Sequence, residues 1–567
     1  MELRLLKLFF GLRNMKSNQY KLKLFKFSNL IILLGLISRI FWSFSVQYRE
    51  DEGVLLWLAL TKNLKKIIFS NVTSKGIPNP NLAIFFLKTL TPLDSLLLTS
   101  LFLSSFLGVV FYKTLKTSNS KFNLLLLISL SLNSYLIFTS SSIALHLLTS
   151  VFNVLFLKIV FEYTFNKNYS YALYFPVITI IPFSIYLGGV VNTVIYFLSF
   201  VFLLILNLKK FKLNFSNKNL LLLNSFILTL IIYLTWFRYF KFIDLDIFNI
   251  QNNGGSFLPY SRLRDYIFVG FQYTKQFPEF FLNIFTNKDT IYYPLHFDTK
   301  LDNINFLLSK YIFKFHKFFN LSSGILVISG CLLQITKFKS KVNKEFLNKS
   351  ILTLLFIFLY IVGSPLLGGR SFLDFDYVSL SVFSSIYILF VYFWLLSVFI
   401  FNLDIIRKFF TVIVVLYFSL NILLTVKTNI DFVNNSSSYL TESDESSFHK
   451  ELIVDFIARN IKTTETDVAV FYNLGGGSFN WTENFNTKYY NRDYYDAIFT
   501  FGREFDYLLK SKHNLNNLVN QISYKDISDS NFYISYIFES FPVDVYENFE
   551  HFYYGNYRVT INLNYVR

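Results

Sequence analysis

Apolar runs of about twenty residues, the length a helix needs to cross a bilayer, recur along the chain up to residue 426, separated by short basic clusters. That spacing constrains the fold more than any other feature. Only 16% of the 567 residues are charged and 53% are hydrophobic, with mean hydropathy +0.43. A soluble domain could not cover itself with so little charge. Aromatic residues make up 20% of the chain, 71 of them Phe, so Phe does much of the packing usually left to Leu and Val.

The runs predict eleven spans, near residues 28–46, 95–112, 122–140, 142–161, 171–187, 189–207, 219–237, 318–336, 350–367, 377–401 and 409–426. A net charge of +17 would suit nucleic acid or anionic lipid. The basic residues gather between apolar runs, as at Lys209-Lys210-Phe211-Lys212 and from Lys337 to Lys349, which is the pattern of cytoplasmic loops and argues against nucleic acid. Residues 1–27 carry Arg4, Lys7, Arg13, Lys16, Lys21, Lys23 and Lys26 against one acid, Glu2, and read as a cytoplasmic basic tail with no cleavage site after the first span. With the N-terminus inside, Lys113 and Lys116, Lys209 to Lys218, Lys337 to Lys349, and Arg407-Lys408 also fall inside. The segments 47–94, 238–317 and 427–567 then share the outer face. The expected location is therefore an integral membrane protein, in a plasma, inner or endoplasmic-reticulum membrane, with its C-terminus extracytoplasmic. The single cysteine, Cys331, lies in an apolar run and cannot form an intrachain disulfide.

The outer segments hold the candidate chemistry. Glu50-Asp51-Glu52 follows the first span directly. Beyond it, Trp57, Leu60, Leu64, Ile67 and Ile68 recur at helical spacing with Lys62, Lys65 and Lys66 facing away, predicting a helix along the membrane surface. Lys75-Gly76-Ile77-Pro78-Asn79-Pro80 then leads into a second short helix, Leu82 to Leu90, with Asn79 as N-cap and Pro80 in the first turn. From about Asn429 the composition turns polar, and residues 427–567 read as a small α/β domain after a linker at 434–438. A helix is expected at 446–461, and strands at Asp467 to Tyr472, Phe532 to Phe538 and Arg558 to Val566.

The Asp51-Glu52 pair just beyond the first span, the two surface helices with their Pro-Asn-Pro turn, the cytoplasmic N-terminus and the outer C-terminal domain resemble the GT-C glycosyltransferases. Within that superfamily the chain is similar to the protein O-mannosyltransferases and lipid A aminoarabinose transferases. The architectural likeness covers most of the chain, whereas the residue match is confined to roughly 47–90, with weaker support near Arg370. The resemblance implies an α-helical polytopic fold of about eleven transmembrane helices over residues 28–426 with an outer C-terminal domain. It also implies transfer of a hexose or pentose from a polyprenyl-phosphate carrier to a lipid, glycan or protein acceptor. Many relatives carry a further acid in the second outer loop. Here that region reads Thr139-Ser140-Ser141-Ser142-Ile143-Ala144-Leu145-His146, with no acid until Glu162, which places a carboxylate-bound divalent metal in doubt and leaves no cofactor required.

Glycosyl transfer from a lipid phosphate needs a base for the acceptor hydroxyl and a fixed cation for the departing phosphate. Asp51 is the expected base, and Glu52 orients the acceptor. The same acids could simply solvate a helix end. Arg370, after the Gly363 to Gly369 break and before Asp374 and Asp376, is the first candidate for the cation, and an interfacial arginine paired with Asp374 is its bland alternative. Arg262, Arg264 and Lys75 follow as donor-phosphate candidates. His296 and His146 read as structural, Gly475-Gly476-Gly477 as a turn, and Asn71-Val72-Thr73 and Asn480-Trp481-Thr482 as glycosylation acceptors in a secretory setting only. Two other functions stay open: a surface-polysaccharide polymerase or ligase relying on Arg238, Arg262 and Arg264, and a lipid-linked-glycan flippase or transporter, which would call for ionisable pairs inside the spans.

Overall fold

A computed structural model describes residues 17–43, 56, 59–60, 88–89, 96–133, 136–137, 148–181, 192–193, 195–202, 217–239, 303–336, 339–363, 377–401, 404–434, 447–460, 468–470, 503–515, 519–521, 532–536, 549–554 and 557–563. The helices are α1 (Ser17–Ser43), α2 (Leu96–Leu115), α3 (Ser120–Leu132), α4 (Leu148–Thr164), α5 (Phe175–Ile180), α6 (Asn217–Tyr239), α7 (Asn303–Ile335), α8 (Lys344–Gly363), α9 (Tyr377–Val398), α10 (Asp404–Asn434), α11 (Ser447–Asn460) and α12 (Arg503–His513). The strands are β1 (Val468–Val470), β2 (Val519–Gln521), β3 (Phe532–Tyr536), β4 (Phe549–Tyr554) and β5 (Tyr557–Asn562).

Three stretches, Leu98–Leu115 of α2, Lys310–Ile335 of α7 and Ile405–Leu423 of α10, are long and apolar enough to cross a membrane. Of the other expected spans, 219–237 is helical throughout, within α6, and the rest contain described helix over part of their length. Along α7, Leu321, Ile325, Ile328, Leu332 and Ile335 form an exposed row at helical spacing, and Leu30, Leu33, Leu34 and Ile37 do the same on α1. Aliphatic stripes of that kind are stable against lipid and unfavourable against water.

The bundle is organised around α9. From Ile386 to Phe401 nearly every described side chain is buried, whichever way it faces, as expected of a helix apolar all round. Helices α3, α4, α7, α8 and α10 pack against it, and α1 packs on α2, α3 and α10. Gly35 and Gly330 permit the closest approaches: an added Cβ would lie 2.7 Å from the Ser131 carbonyl oxygen at Gly35 and 2.9 Å from the Ile400 side chain at Gly330. Between α2 and α3 the chain turns in four residues, Lys116 to Asn119. Asn119 Oδ1 accepts from the Lys121 and Phe122 amides. The Asn123 side chain bridges back to Thr117, accepting from its amide at 2.8 Å and donating to its carbonyl at 2.7 Å.

Three expected spans differ from the structure. The third is not one continuous helix over 122–140: α3 stops at Leu132, and Asn133 is extended at φ −79°, ψ 113°. The fifth begins with a 3₁₀ turn, Tyr169–Tyr174, before α5, where Pro176 sits in the first turn and supplies no amide that the helix would have used. The eighth starts fifteen residues before 318, at Asn303, because Lys314 and Lys317 stay on the exposed side while His316 turns inward.

The C-terminal unit is a mixed five-stranded sheet in the order β2-β1-β3-β5-β4. Strand β1 runs parallel to β2 and β3, while β5 is antiparallel to β3 and β4. Helix α12 provides the crossover from β1 to β2, and α11 lies against α12 and β4. Two pairs tie the helices, Lys512 with Glu451 at 2.5 Å and His513 with Asp455 at 2.8 Å. Four expected elements, α11, β1, β3 and β5, are present here, whereas α12, β2 and β4 were not anticipated.

Candidate functional site

Asp51, Glu52, Lys75, Arg262, Arg264 and Arg370 lie outside the described residues, as do His146, His296, Gly475 to Gly477, Asn71 and Asn480. Arg238 is on α6, with its side chain likewise outside them. What the structure describes is the frame from which these segments depart. On one side of the acidic cluster, the Ser43 hydroxyl ends α1, donating to the Arg39 carbonyl at 2.8 Å and lying 3.3 Å from the Ser100 hydroxyl of α2. On the other side, Leu56 and Ala59 are helical and fully buried, with Leu60 packed beside them. The expected surface helix is thus seated on the protein core at these positions, as well as against any lipid. Farther along, Lys88 is helical, and burial followed by the charge of Lys510 on α12 holds its ammonium below the ordinary lysine value.

The bundle interior holds a polar centre that the expected spans did not anticipate. Arg39 is buried one turn before the C-terminal end of α1, 6% exposed. Its Nη1 donates to the carbonyls of Gly35 and Ser131, both at 3.1 Å, and its Nη2 to that of Leu130 at 2.9 Å. The physical reason lies in α3. A helix leaves its last four carbonyls without partners, and inside a bilayer no water can take their place. Arg39 supplies the missing donors, and its charge suits the negative end of the helix dipole. Its reach is possible because Gly35 lets α1 and α3 touch and Gly108 leaves room for Nη2, 3.3 Å from where a Cβ would sit.

Asn133 handles the other side of the break. Its Oδ1 accepts from the Leu136 amide at 3.2 Å, its carbonyl accepts from Ile137 at 3.0 Å, and its Nδ2 donates to the Tyr387 hydroxyl at 3.0 Å. From there a chain of hydroxyls crosses the core: Tyr387 to Tyr417 at 3.3 Å, then Tyr417 to His316 Nε2 at 2.9 Å. His316 packs edge-on against Trp394, whose Nε1 donates to Asn320 Oδ1 at 2.9 Å. Each residue in this row is hydrogen-bonded inside the bundle, with His316 Nδ1 the one ring nitrogen that makes no hydrogen bond, so the arrangement fixes the relative positions of α3, α7, α9 and α10. An intramembrane arginine and histidine would have been visible in the sequence as ionisable residues within apolar runs. The expected spans passed over Arg39 without comment and began after His316.

Among the described residues no group of three or more His, Cys, Asp or Glu could hold a metal ion. These features describe a mostly helical protein with three helices long and apolar enough to cross a membrane, a helix α3 that breaks at Asn133, and a small mixed-sheet unit at its C-terminus. No family model matches the chain, and neither a curated protein nor a solved structure matches it.

Proposed function

We propose that the protein is a GT-C type membrane glycosyltransferase that moves one sugar from a polyprenyl-phosphate carrier to an acceptor at the extracytoplasmic face. In this reading eleven helices cross the membrane, the N-terminus is cytoplasmic, and the 427–567 domain is extracytoplasmic. Asp51 takes the acceptor proton, Glu52 orients the acceptor, and Arg370 neutralises the departing phosphate, with Arg262, Arg264 and Lys75 as further contacts.

The observation that carries the reading is the anchoring of the acidic segment. Residues 44–55 hold Glu50, Asp51 and Glu52 and run between Ser43, buried and hydrogen-bonded to α2, and Leu56, fully buried. Both flanks of the acidic segment are therefore fixed to the packed bundle, and a general base must be held by such a rigid frame to act.

The test uses purified protein in bilayers with a panel of polyprenyl-phosphate monosaccharides and reads release of the lipid phosphate. Asp51→Asn should lower turnover by about 10²–10⁴-fold, the usual cost of losing a general base, while membrane insertion is unchanged. Near-normal turnover in that variant would remove Asp51 from the mechanism. Loss confined to Arg262→Ala and Arg264→Ala would favour a polymerase or ligase instead.

A further inference from the structure

At the end of the bundle that carries the basic loops, α2, α4 and α8 enclose a recess of about 60 Å³ that opens to the surface. Thr114 and Lys116 come from the end of α2 and its turn, Lys158 and Glu162 from α4, Lys349 and Leu352 from α8, and Tyr392 of α9 forms the floor. Its polar groups are mostly donors. Among the described residues, Lys116 and Lys158 have no ion-pair partner, and the Thr114 and Tyr392 hydroxyls make no hydrogen bond. Tyr392 is only 5% exposed, but it lines the recess and its hydroxyl is not one of the fully buried polar atoms, so a ligand or water can reach it there.

The acids are accounted for. Glu345 pairs with Lys349 at 2.6 Å, which also holds that ammonium over the Phe161 ring at 4.8 Å. Glu162 accepts from Asn166 at 3.0 Å. The lining thus carries three ammonium groups against one carboxylate, plus two unused hydroxyls.

We propose that this recess binds the phosphate of an anionic phospholipid, at the face opposite the proposed catalytic site and independently of it. Lys116 and Lys158 meet the phosphate charge, and Thr114 and Tyr392 donate to its oxygens. Phospholipid is favoured over free phosphate because the recess continues into a lipid-type surface: Ile351 and Leu355 on α8, one turn apart and beside Leu352, are exposed apolar side chains along which acyl chains can lie. Basic pockets between membrane helices at the cytoplasmic side recognise such headgroups by charge and hydrogen bonding.

The test is native mass spectrometry of the full chain released from bilayers of phosphatidylglycerol and phosphatidylcholine, with titration of each lipid. Wild-type protein should retain one phosphatidylglycerol at least tenfold more tightly than phosphatidylcholine. Lys116→Gln/Lys158→Gln should abolish that preference, and Lys116→Arg/Lys158→Arg should keep it. Tyr392→Phe, which leaves the helix contacts intact, should weaken retention severalfold and serves where the double variant fails to fold. Equal retention of both lipids by the wild type, or an unchanged preference in the glutamine variant, would overturn the proposal. Displacement of the lipid by millimolar inorganic phosphate would overturn the phospholipid assignment and mark a free-anion site.

Discussion

Replacing Arg39 by methionine keeps most of the side-chain volume and removes every donor. The Leu130 and Ser131 carbonyls then lose their partners at the buried end of α3, and Gly35 loses its third contact. An unsatisfied buried acceptor costs about 1–3 kcal/mol, so the two carbonyls of α3 together set an upper figure of roughly 6 kcal/mol. Two effects reduce it. Side-chain hydrogen bonds in membrane proteins average nearer 0.6 kcal/mol each, and removing the arginine recovers part of the insertion cost, which is about 2.5–3.5 kcal/mol at a helix centre and smaller at Arg39, four residues from the end of α1. The carbonyls cannot swap partners as a free side chain can, because Asn133 has already turned the chain away. A net destabilisation of about 2–3 kcal/mol is expected, measured by reversible unfolding in mixed micelles. Arg39→Lys should recover part of it, since one ammonium can reach a carbonyl but cannot span three. Gly35→Ala tests the same joint from the other side, placing a Cβ 2.7 Å from the Ser131 oxygen. Stability of Arg39→Met within about 0.5 kcal/mol of wild type, below the cost of one orphaned acceptor, would refute the capping role.

Arg370→Ala should sharply weaken use of a polyprenyl-phosphate donor and Arg370→Lys restore only part, because lysine lacks the planar fork that grips two oxygens; unchanged donor affinity in both would move the anchor to Arg262, Arg264 or Lys75. Reporter fusions at Lys16 and Ser438 should report opposite compartments, and a common compartment would show the span count to be off by one. His551 on β4 faces Thr560 of β5 at 2.8 Å, and burial, then Arg558, hold its pKa below 6.5. The unfolded chain therefore binds the proton more readily, so stability of the sheet is full above about 6.5 and falls as pH drops below it. Thermal melts at pH 7.5 and 5 should differ in that direction, and His551→Gln should flatten the dependence.

The helical membrane character was legible because apolar runs and basic interruptions are local signals. The break in α3 was not. Ser131-Leu132-Asn133-Ser134 contains neither Gly nor Pro, and the run continues in apolar Leu136 and Ile137. What stabilises the break comes from far away, Arg39 at a separation of 92 residues and Tyr387 at 254. The missed C-terminal elements were partly readable. Phe505, Leu508 and Leu509 mark the buried face of α12 at helical spacing, and Gly555-Asn556, between paired Tyr554 and Tyr557, is a favoured two-residue hairpin sequence. β2 offered no comparable signal, since Val519-Asn520-Gln521 is short and polar and pairs only through β1. For the candidate base, the motif was plain in the sequence, and the buried Leu56 and Ala59 add a core contact that the expected face of Trp57, Leu64, Ile67 and Ile68 did not include.

An ionisable residue inside a membrane helix is by default a candidate for substrate or ion handling. Arg39 is better explained another way. Its two terminal nitrogens are already committed to three carbonyls, leaving Nε as the atom without a hydrogen bond. A phosphate drawn to this guanidinium would have to displace main-chain acceptors at a helix end that has no water to replace them. The arginine is therefore a poor anchor for a leaving phosphate and a good clasp for a broken helix. The same logic weakens a transport pathway through the polar row, because Tyr387, Tyr417 and Asn133 are bonded to one another across three helices, α3, α9 and α10. Opening a path there would break several hydrogen bonds at once. In the proposed reading the charge that handles substrate lies outside this centre, in the stretches of sequence that follow Ser43, Tyr239 and Gly363 and contain Asp51, Arg262, Arg264 and Arg370.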